Sequence, residues 1–466
     1  MKKIIVAFLA VFSLSTSFSQ SFQGLSYSQY DALASFAANP ANLVGSKLKW
    51  QVNIIGFDVN AQNDYLFLKG KLIGMASNFD QDVNVGENLN GKPKDLSFGL
   101  DTRLPSFSFK IKEKNAIALT MKVRGVLSGN DIDEKFATSL YNEQIDLLSW
   151  ENFIQDGKTS MGFTSWGEIG IGYARQILDL DKHQLDAGIN VKLITNGIVG
   201  KLDFQDIEFN LSADSIINVK NSQFNFLGSN ELDAFISGED DETEDFKFAI
   251  KSVGFDVGAS YAFKLSGKDD YLFKAGVSVN DIGKLKYVAS KFSRSFVGNN
   301  TNIPGQLILD GSGDYKNFDS IMDILGTRTT PTGEFKVALP TTLNVFLDVR
   351  AVKGLYITVG GQINLLSQKK DNPSSNLPTL LTITPRYENK IFGAFLPMSY
   401  NKYGGFNFGA GFRIGQFSIG SNNFLSSLVK KNFSGVNIYT SIGFGKAKKK
   451  GKTSEVVQEE EKESTR

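Results

Sequence analysis

The chain has 466 residues, a formal net charge of +1, one histidine and no cysteine. These counts exclude disulfide stapling, Cys/His zinc sites and a cysteine nucleophile, and they leave no global field to attract nucleic acid. Glycine (45) and phenylalanine (38) are abundant, proline is scarce (10) and mean hydropathy is −0.15; a membrane barrel shares that value with soluble proteins, because only alternate residues of its strands face lipid.

Lys2 and Lys3 precede the apolar run Ile4 to Phe12, and Ser17-Phe18-Ser19 places small residues at −3 and −1 of a cleavage site before Gln20. Residues 1–19 are therefore expected to be a secretory signal peptide. The run is too short to span a bilayer, and later apolar runs are soon broken by Asn, Lys, Asp or Gly, so no transmembrane helix is expected. An exported chain of this kind is periplasmic, surface-attached, released or a barrel.

Beyond residue 46 the pattern has period two, the signature of strands. Strands are expected within 47–75 and at 104–112, 115–127, 162–176, 182–197, 250–264, 271–280, 339–350, 354–366, 379–387, 390–400, 405–414, 416–422 and 434–444. One face of each is apolar and the other is polar, charged or glycine. Leu343, Val345, Leu347 and Val349 oppose Asn344, Asp348 and Arg350; Phe406, Phe408, Phe412 and Ile414 oppose Asn407, Gly409, Gly411 and Arg413. A soluble sandwich would alternate too. Strand lengths of about 9–11 residues or more favour a tilted membrane strand, and aromatics near strand ends, such as Trp50, Trp166, Tyr173, Tyr261 and Tyr271, resemble interfacial girdles.

Every second connection is tight, as at Glu113-Lys114, Glu388-Asn389 and Gly415-Gln416, whereas 128–161, 198–249 and 281–338 are long. That asymmetry is the layout of an outer-membrane barrel. Within the long loops, 131–154 and 317–325 look helical and amphipathic, and Glu239 to Asp245 is nearly continuous acid. The expected fold is all-β: an antiparallel transmembrane outer-membrane β-barrel of about 14 strands (roughly 12–16) with long extracellular loops, spanning 47–445. The Lys- then Glu-rich tail, 446–466, is expected to be disordered and periplasmic.

Catalytic motifs are weak. His183, the one histidine, falls in a short turn, a poor place for a Ser-His-Asp pocket. Gly445 to Thr453 has the wrong spacing for a phosphate loop, and Gly409-x-Gly411-x-x-x-Gly415 lies inside a strand, where glycines let a sheet curve or an inner segment approach. The acidic run 239–245 lacks calcium-loop spacing. No catalytic residue, cofactor site or metal site is expected. Lys122, Arg124, Asp186, Lys192, Asp256, Asp348, Arg350 and Arg413 fall on the polar faces and would line the lumen, where opposite charges pair or form a polar path.

The stretch Tyr30-Asp31-Ala32-Leu33-Ala34-Ser35-Phe36-Ala37-Ala38-Asn39-Pro40-Ala41 resembles the segment ahead of the first strand in the long-chain fatty-acid transporter barrels. Segments 183–193, 254–261, 276–283, 406–425 and 436–446 are similar to those of a related group of uncharacterised barrels from lineages that carry type IX secretion. The resemblance implies a 14-stranded barrel in which residues 20–46 form a hatch-like segment, with the motif on Asn39, Pro40 and Ala41. Two functions stay open: binding or passing a hydrophobic small molecule, or a non-transporting envelope, secretion or gliding partner that uses its loops and tail for protein contacts. Outer-membrane lipid and lipopolysaccharide are the expected surroundings. A soluble periplasmic β-protein would instead be released without detergent.

Overall fold

The structure is a computed structural model that describes residues 22–448 except 71–84, 142–151, 212–215, 238–249, 266–269, 311–315, 317, 367–376 and 402–403. The signal peptide at 1–19, the acidic run 239–245 and nearly all of the tail 446–466 lie outside the described residues.

Fourteen antiparallel strands close into a ring, as the alternation implied. They are β1 (Leu48–Asn63), β2 (Lys94–Arg103, resuming at Ser106–Ile111), β3 (Asn115–Ile132), β4 (Asn152–Asp179), β5 (His183–Leu211), β6 (Ser252–Lys264) and β7 (Tyr271–Val288). Then follow β8 (Thr342–Val352), β9 (Leu355–Asn364), β10 (Leu380–Glu388), β11 (Phe392–Phe395 and Met398–Asn401), β12 (Gly405–Phe408 and Ala410–Ile414), β13 (Phe417–Ser421) and β14 (Gly435–Ala447). Each pairs with its neighbour in sequence, and β14 returns to β1 in a register from Leu48↔Ala447 to Gln62↔Gly435. Closure leaves the ring no open edge, which a sheet in hydrocarbon cannot tolerate.

The pleat sorts the side chains. On β8, Val345, Leu347 and Val349 are exposed, whereas Asn344 and Asp348 are buried. On β14, Val436, Ile438, Ile442 and Phe444 face out while Asn437, Tyr439 and Ser441 face in. The apolar band thus lies outside the ring and the polar residues inside, the reverse of a soluble protein and the arrangement of a lipid-facing barrel. Among the described residues no helix is long and apolar enough to cross a membrane.

Three features differ from the sequence expectation. Residues 94–103, outside every expected strand, form the first part of β2, where Leu96, Phe98 and Leu100 alternate against buried Ser97, Asp101 and Arg103. Trp166 and Tyr271 are not girdle residues; Trp166 is buried and donates to Glu168, and Tyr271 is half-buried and donates to Asp348. The long connections are also largely folded. β4 and β5 run for 28 and 29 residues, far beyond the roughly 9–11 that a tilted strand needs to cross.

Past the ring, Ile216–Lys220 and Ser222–Gly228 fold back on β5, Arg294–Gly298 pairs with Ser222–Gly228, and Gly326–Thr329 pairs with Arg294–Gly298. Two amphipathic helices, α3 (Glu134–Tyr141) and α4 (Phe318–Leu325), pack Phe136, Ile321, Met322 and Leu325 against Ile217, Val219 and Phe296. The Arg294 guanidinium clamps Asp319 of α4 through two bonds of 2.8 and 2.7 Å. This extension therefore has its own apolar core.

Candidate functional site

Residues 22–46 run inside the ring, and nearly all of them are buried. Local chemistry shapes this segment. The Asp31 carboxylate caps helix α1 (Ala32–Ala38) by accepting from the Ala34 N–H at 2.9 Å, and a single-turn helix, α2 (Asn42–Gly45), follows Ala41. Asn39 is extended, as a residue before proline should be, so the helix stops there. The orphan carbonyls at the helix end are then met by the wall: Asn280 donates to Ala37 and Ala38, and Ser278 donates to Ala38 at 2.8 Å.

At Asn39-Pro40-Ala41 the segment approaches the wall closely. The Asn39 amide donates to the carbonyls of Ala259 on β6 and Val277 on β7, both at 3.1 Å, while its oxygen accepts from Ala41 N–H at 2.9 Å. Two inward glycines make the room. A Cβ on Gly258 would lie 2.2 Å from Asn39 Oδ1, and one on Gly188 would lie 2.4 Å from the Pro40 carbonyl carbon. Elsewhere the Asp58 carboxylate accepts from Phe22 N–H, and the Arg103 guanidinium sits 3.5 Å from the centre of the Phe22 ring. Gln51 accepts from Leu33 N–H and donates to Asp31.

Two charged layers flank the segment. At the short-turn end, Arg386 grips Asp348 through two bonds of 2.8 and 2.6 Å and reaches Glu388 at 3.3 Å. Glu388 in turn accepts from Ser28 Oγ at 2.6 Å and from Gln29 N–H at 3.1 Å, which ties the segment to β10. Arg350 pairs with Asp270 at 3.5 Å. Among the described residues Arg413 meets no carboxylate at ion-pair distance; it donates to the carbonyls of Gly415 and Asn389 and stacks over Tyr30. Asp186 accepts twice from Gln184.

The second layer lies on the other side of the segment. Lys192 contacts Asp281 at 2.5 Å and Asp256 at 2.7 Å. Arg124 contacts Asp281 at 2.7 Å and lies over Trp166. Lys122 is held more loosely, 3.5 Å from Asp101 and 4.0 Å from Glu168. A space opens between this layer and the segment. Phe36, Ala38, Val126 and Leu377 give its lining an apolar side. An apolar tier that includes Val126, Trp166, Ile194, Tyr287, Leu339 and Leu377 borders it.

All eight charges expected in the lumen thus lie inside the ring, but they fall into different groups. Lys122, Arg124, Lys192 and Asp256 line the large space. Asp348, Arg350 and Arg413 belong to the short-turn end, and Asp186 lies near Gly45 of the inner segment. Sequence reasoning missed Asp101, Asp281, Arg386 and Glu388. Arg386 shares the inward parity of Thr382 and Thr384 and was detectable by alternation. Asp281 was not: β6 and β7 shift register between Phe255 and Val257, and Asp281 takes a left-handed φ of +59° that turns it inward. Among the described residues no cluster of metal-ligating side chains occurs.

Ring, inner segment and charged layers define the class: a closed fourteen-stranded barrel of the membrane-spanning type with its own N-terminal segment lodged inside. The chain belongs to the DUF5723 family, a family of unknown function, which matches residues 40–422. No curated protein matches it. Among solved structures it is similar to a Pseudomonas aeruginosa FadL homologue (11% identity, TM-score 0.45, covering 92% of this chain and 97% of that one). It is also similar to the P. putida toluene transporter TodX (12%, TM-score 0.42, 89% and 94%) and to the Ralstonia pickettii toluene transporter TbuX (10%, TM-score 0.39, 92% and 98%).

Proposed function

We propose that the protein is an outer-membrane barrel that admits a small molecule with an apolar body to its lumen, and that residues 20–46 act as a hatch. The observation that carries this reading is the pairing of a lined cavity with a closure beneath it that is held by hydrogen bonds. Asn39, Pro40 and Ala41 are the contact through which the hatch is seated. The apolar tier on the long-loop side gives an apolar body a compatible surface to pass. The long-loop end is extracellular in this reading and the short-turn end periplasmic. Lys122, Arg124, Lys192 and Asp256 line the chamber, while Asp348, Arg350 and Arg413 hold its lower wall.

A non-transporting envelope partner would need no such chamber, although the folded extension offers a surface for protein contacts. The test uses Trp166 as reporter, because it lies against Arg124 beside the chamber. Trp50→Phe with Trp150→Phe leaves it the only tryptophan of the 3. Propylbenzene, 3-phenylpropionate and phenyl β-glucoside are each titrated into the protein in a polyoxyethylene detergent. A saturable change in Trp166 fluorescence with at least one of them supports the reading; no saturable change with any of them overturns it.

A further inference from the structure

The chamber's lining shows which polar group it receives. Three asparagines of the lining, Asn190, Asn280 and Asn344, are at least nine-tenths buried, and the amide oxygen of each has no hydrogen-bond partner among the described residues. For two of them the orientation of the amide is fixed by its nitrogen. Asn190 Nδ2 donates to the Asp256 carboxylate at 2.9 Å, and Asn280 Nδ2 donates to the carbonyls of Ala37 and Ala38 at 2.9 and 3.2 Å. Those partners only accept, so turning either amide over would set oxygen against oxygen. Asn344 makes one long contact, 3.4 Å to Thr342 Oγ1. A buried acceptor without a donor is costly, and a donor supplied to it is correspondingly favourable.

Charge narrows the choice further. The lining carries three cations, Lys122, Arg124 and Lys192, and three carboxylates, Asp101, Asp256 and Asp281. Their formal charges cancel, and Arg124 and Lys192 are already in contact with carboxylates. An anionic head would bring a net charge into a balanced, enclosed site and turn lone pairs toward the amide oxygens. A hydroxyl does neither, because it can donate to an amide oxygen and accept from a lysine or arginine.

We infer that the chamber binds an uncharged polyhydroxyl group, of glycosyl or glyceryl type, carried on an apolar body. This rests on the proposed function and specifies its ligand. Asn280 would serve both parts, gripping the hatch with its nitrogen and the ligand with its oxygen.

The Trp166 titration tests the inference by rank. Phenyl β-glucoside is expected to bind at least about tenfold more tightly than 3-phenylpropionate or propylbenzene. Asn344→Leu, which removes an acceptor and one long contact, is expected to weaken the glucoside roughly fivefold to tenfold, the effect of one hydrogen bond, while leaving propylbenzene unchanged. Retained heat-modifiable gel mobility verifies that the variant is folded. If phenylpropionate or propylbenzene binds as tightly as the glucoside, or if Asn344→Leu leaves the glucoside unaffected, the polyhydroxyl assignment is wrong while the lumen remains a ligand site. If none of the three probes gives a saturable signal, the assignment falls together with the proposed function.

Discussion

Replacing Asn39 by leucine keeps the side-chain volume and removes three hydrogen bonds at once: two to wall carbonyls at 3.1 Å and one from Ala41 N–H at 2.9 Å. A neutral hydrogen bond contributes about 1 kcal/mol net, so the seating of the inner segment should weaken by about 2–4 kcal/mol. Local opening then rises by roughly 30-fold to several hundred-fold, at about tenfold per 1.4 kcal/mol. Hydrogen exchange reads this directly. Amides of the inner helix, such as Ser35 N–H bonded to Asp31 O at 3.1 Å, should exchange at least tenfold faster. Amides of β8 and β9 should exchange at their original rate, because the ring does not depend on Asn39. Unchanged exchange across residues 33–45 would refute the view that this motif seats the segment.

Ile357→Arg or Val345→Arg places a cation on the lipid face and should cost about 2–4 kcal/mol, read as a lower temperature for loss of folded gel mobility. Val297→Arg, equally exposed but on the extension beyond the ring, should leave that temperature unchanged. Asp348→Asn strips Arg386 of its two-bonded partner inside the ring and should cost about 3–5 kcal/mol by the same measurement. Arg294 hydrogen bonds hold the Asp319 carboxyl below its ordinary 3.8, with Arg328 adding to the pull. A lowered carboxyl contributes stability that is present above the unfolded value and lost as pH falls through the folded one. Limited proteolysis around α4 should therefore stay constant down to about pH 4 and increase below it, and Arg294→Met should weaken that dependence to the part that Arg328 supplies.

The ring was legible because lipid outside and polar side chains inside impose strict alternation, and short turns impose a rhythm on where strands end. Legibility failed where that rhythm breaks. Lys94 to Arg103 alternates well, but it follows a glycine- and asparagine-rich stretch and so reads as part of the connection. Trp166 shares its parity with inward Glu168 and Ala174, so alternation alone would have placed it inside; its aromatic character pointed to a girdle instead. Tyr271 faces inward because β6 and β7 shift register between Phe263 and Lys264, which no local pattern announces. The long connections looked like loops because their strands pair with distant segments, such as Ser222–Gly228 with Arg294–Gly298. The lumen charges could be chosen by parity, but their grouping into two layers depends on where each strand crosses the segment. The orphan amide oxygens depend on side-chain partners and left no trace in the sequence.

The lack of cysteine in the chain permits a clean lock. A Cβ on Gly258 would lie 2.9 Å from Asn39 Cγ, close enough for a disulfide between Asn39→Cys and Gly258→Cys. The double variant is placed in liposomes that hold β-glucosidase, and nitrophenyl β-glucoside is added outside. A hatch that must leave its seat predicts no nitrophenolate release while the pair is oxidised and steady release once it is reduced. Release at the same rate in both states would contradict the account.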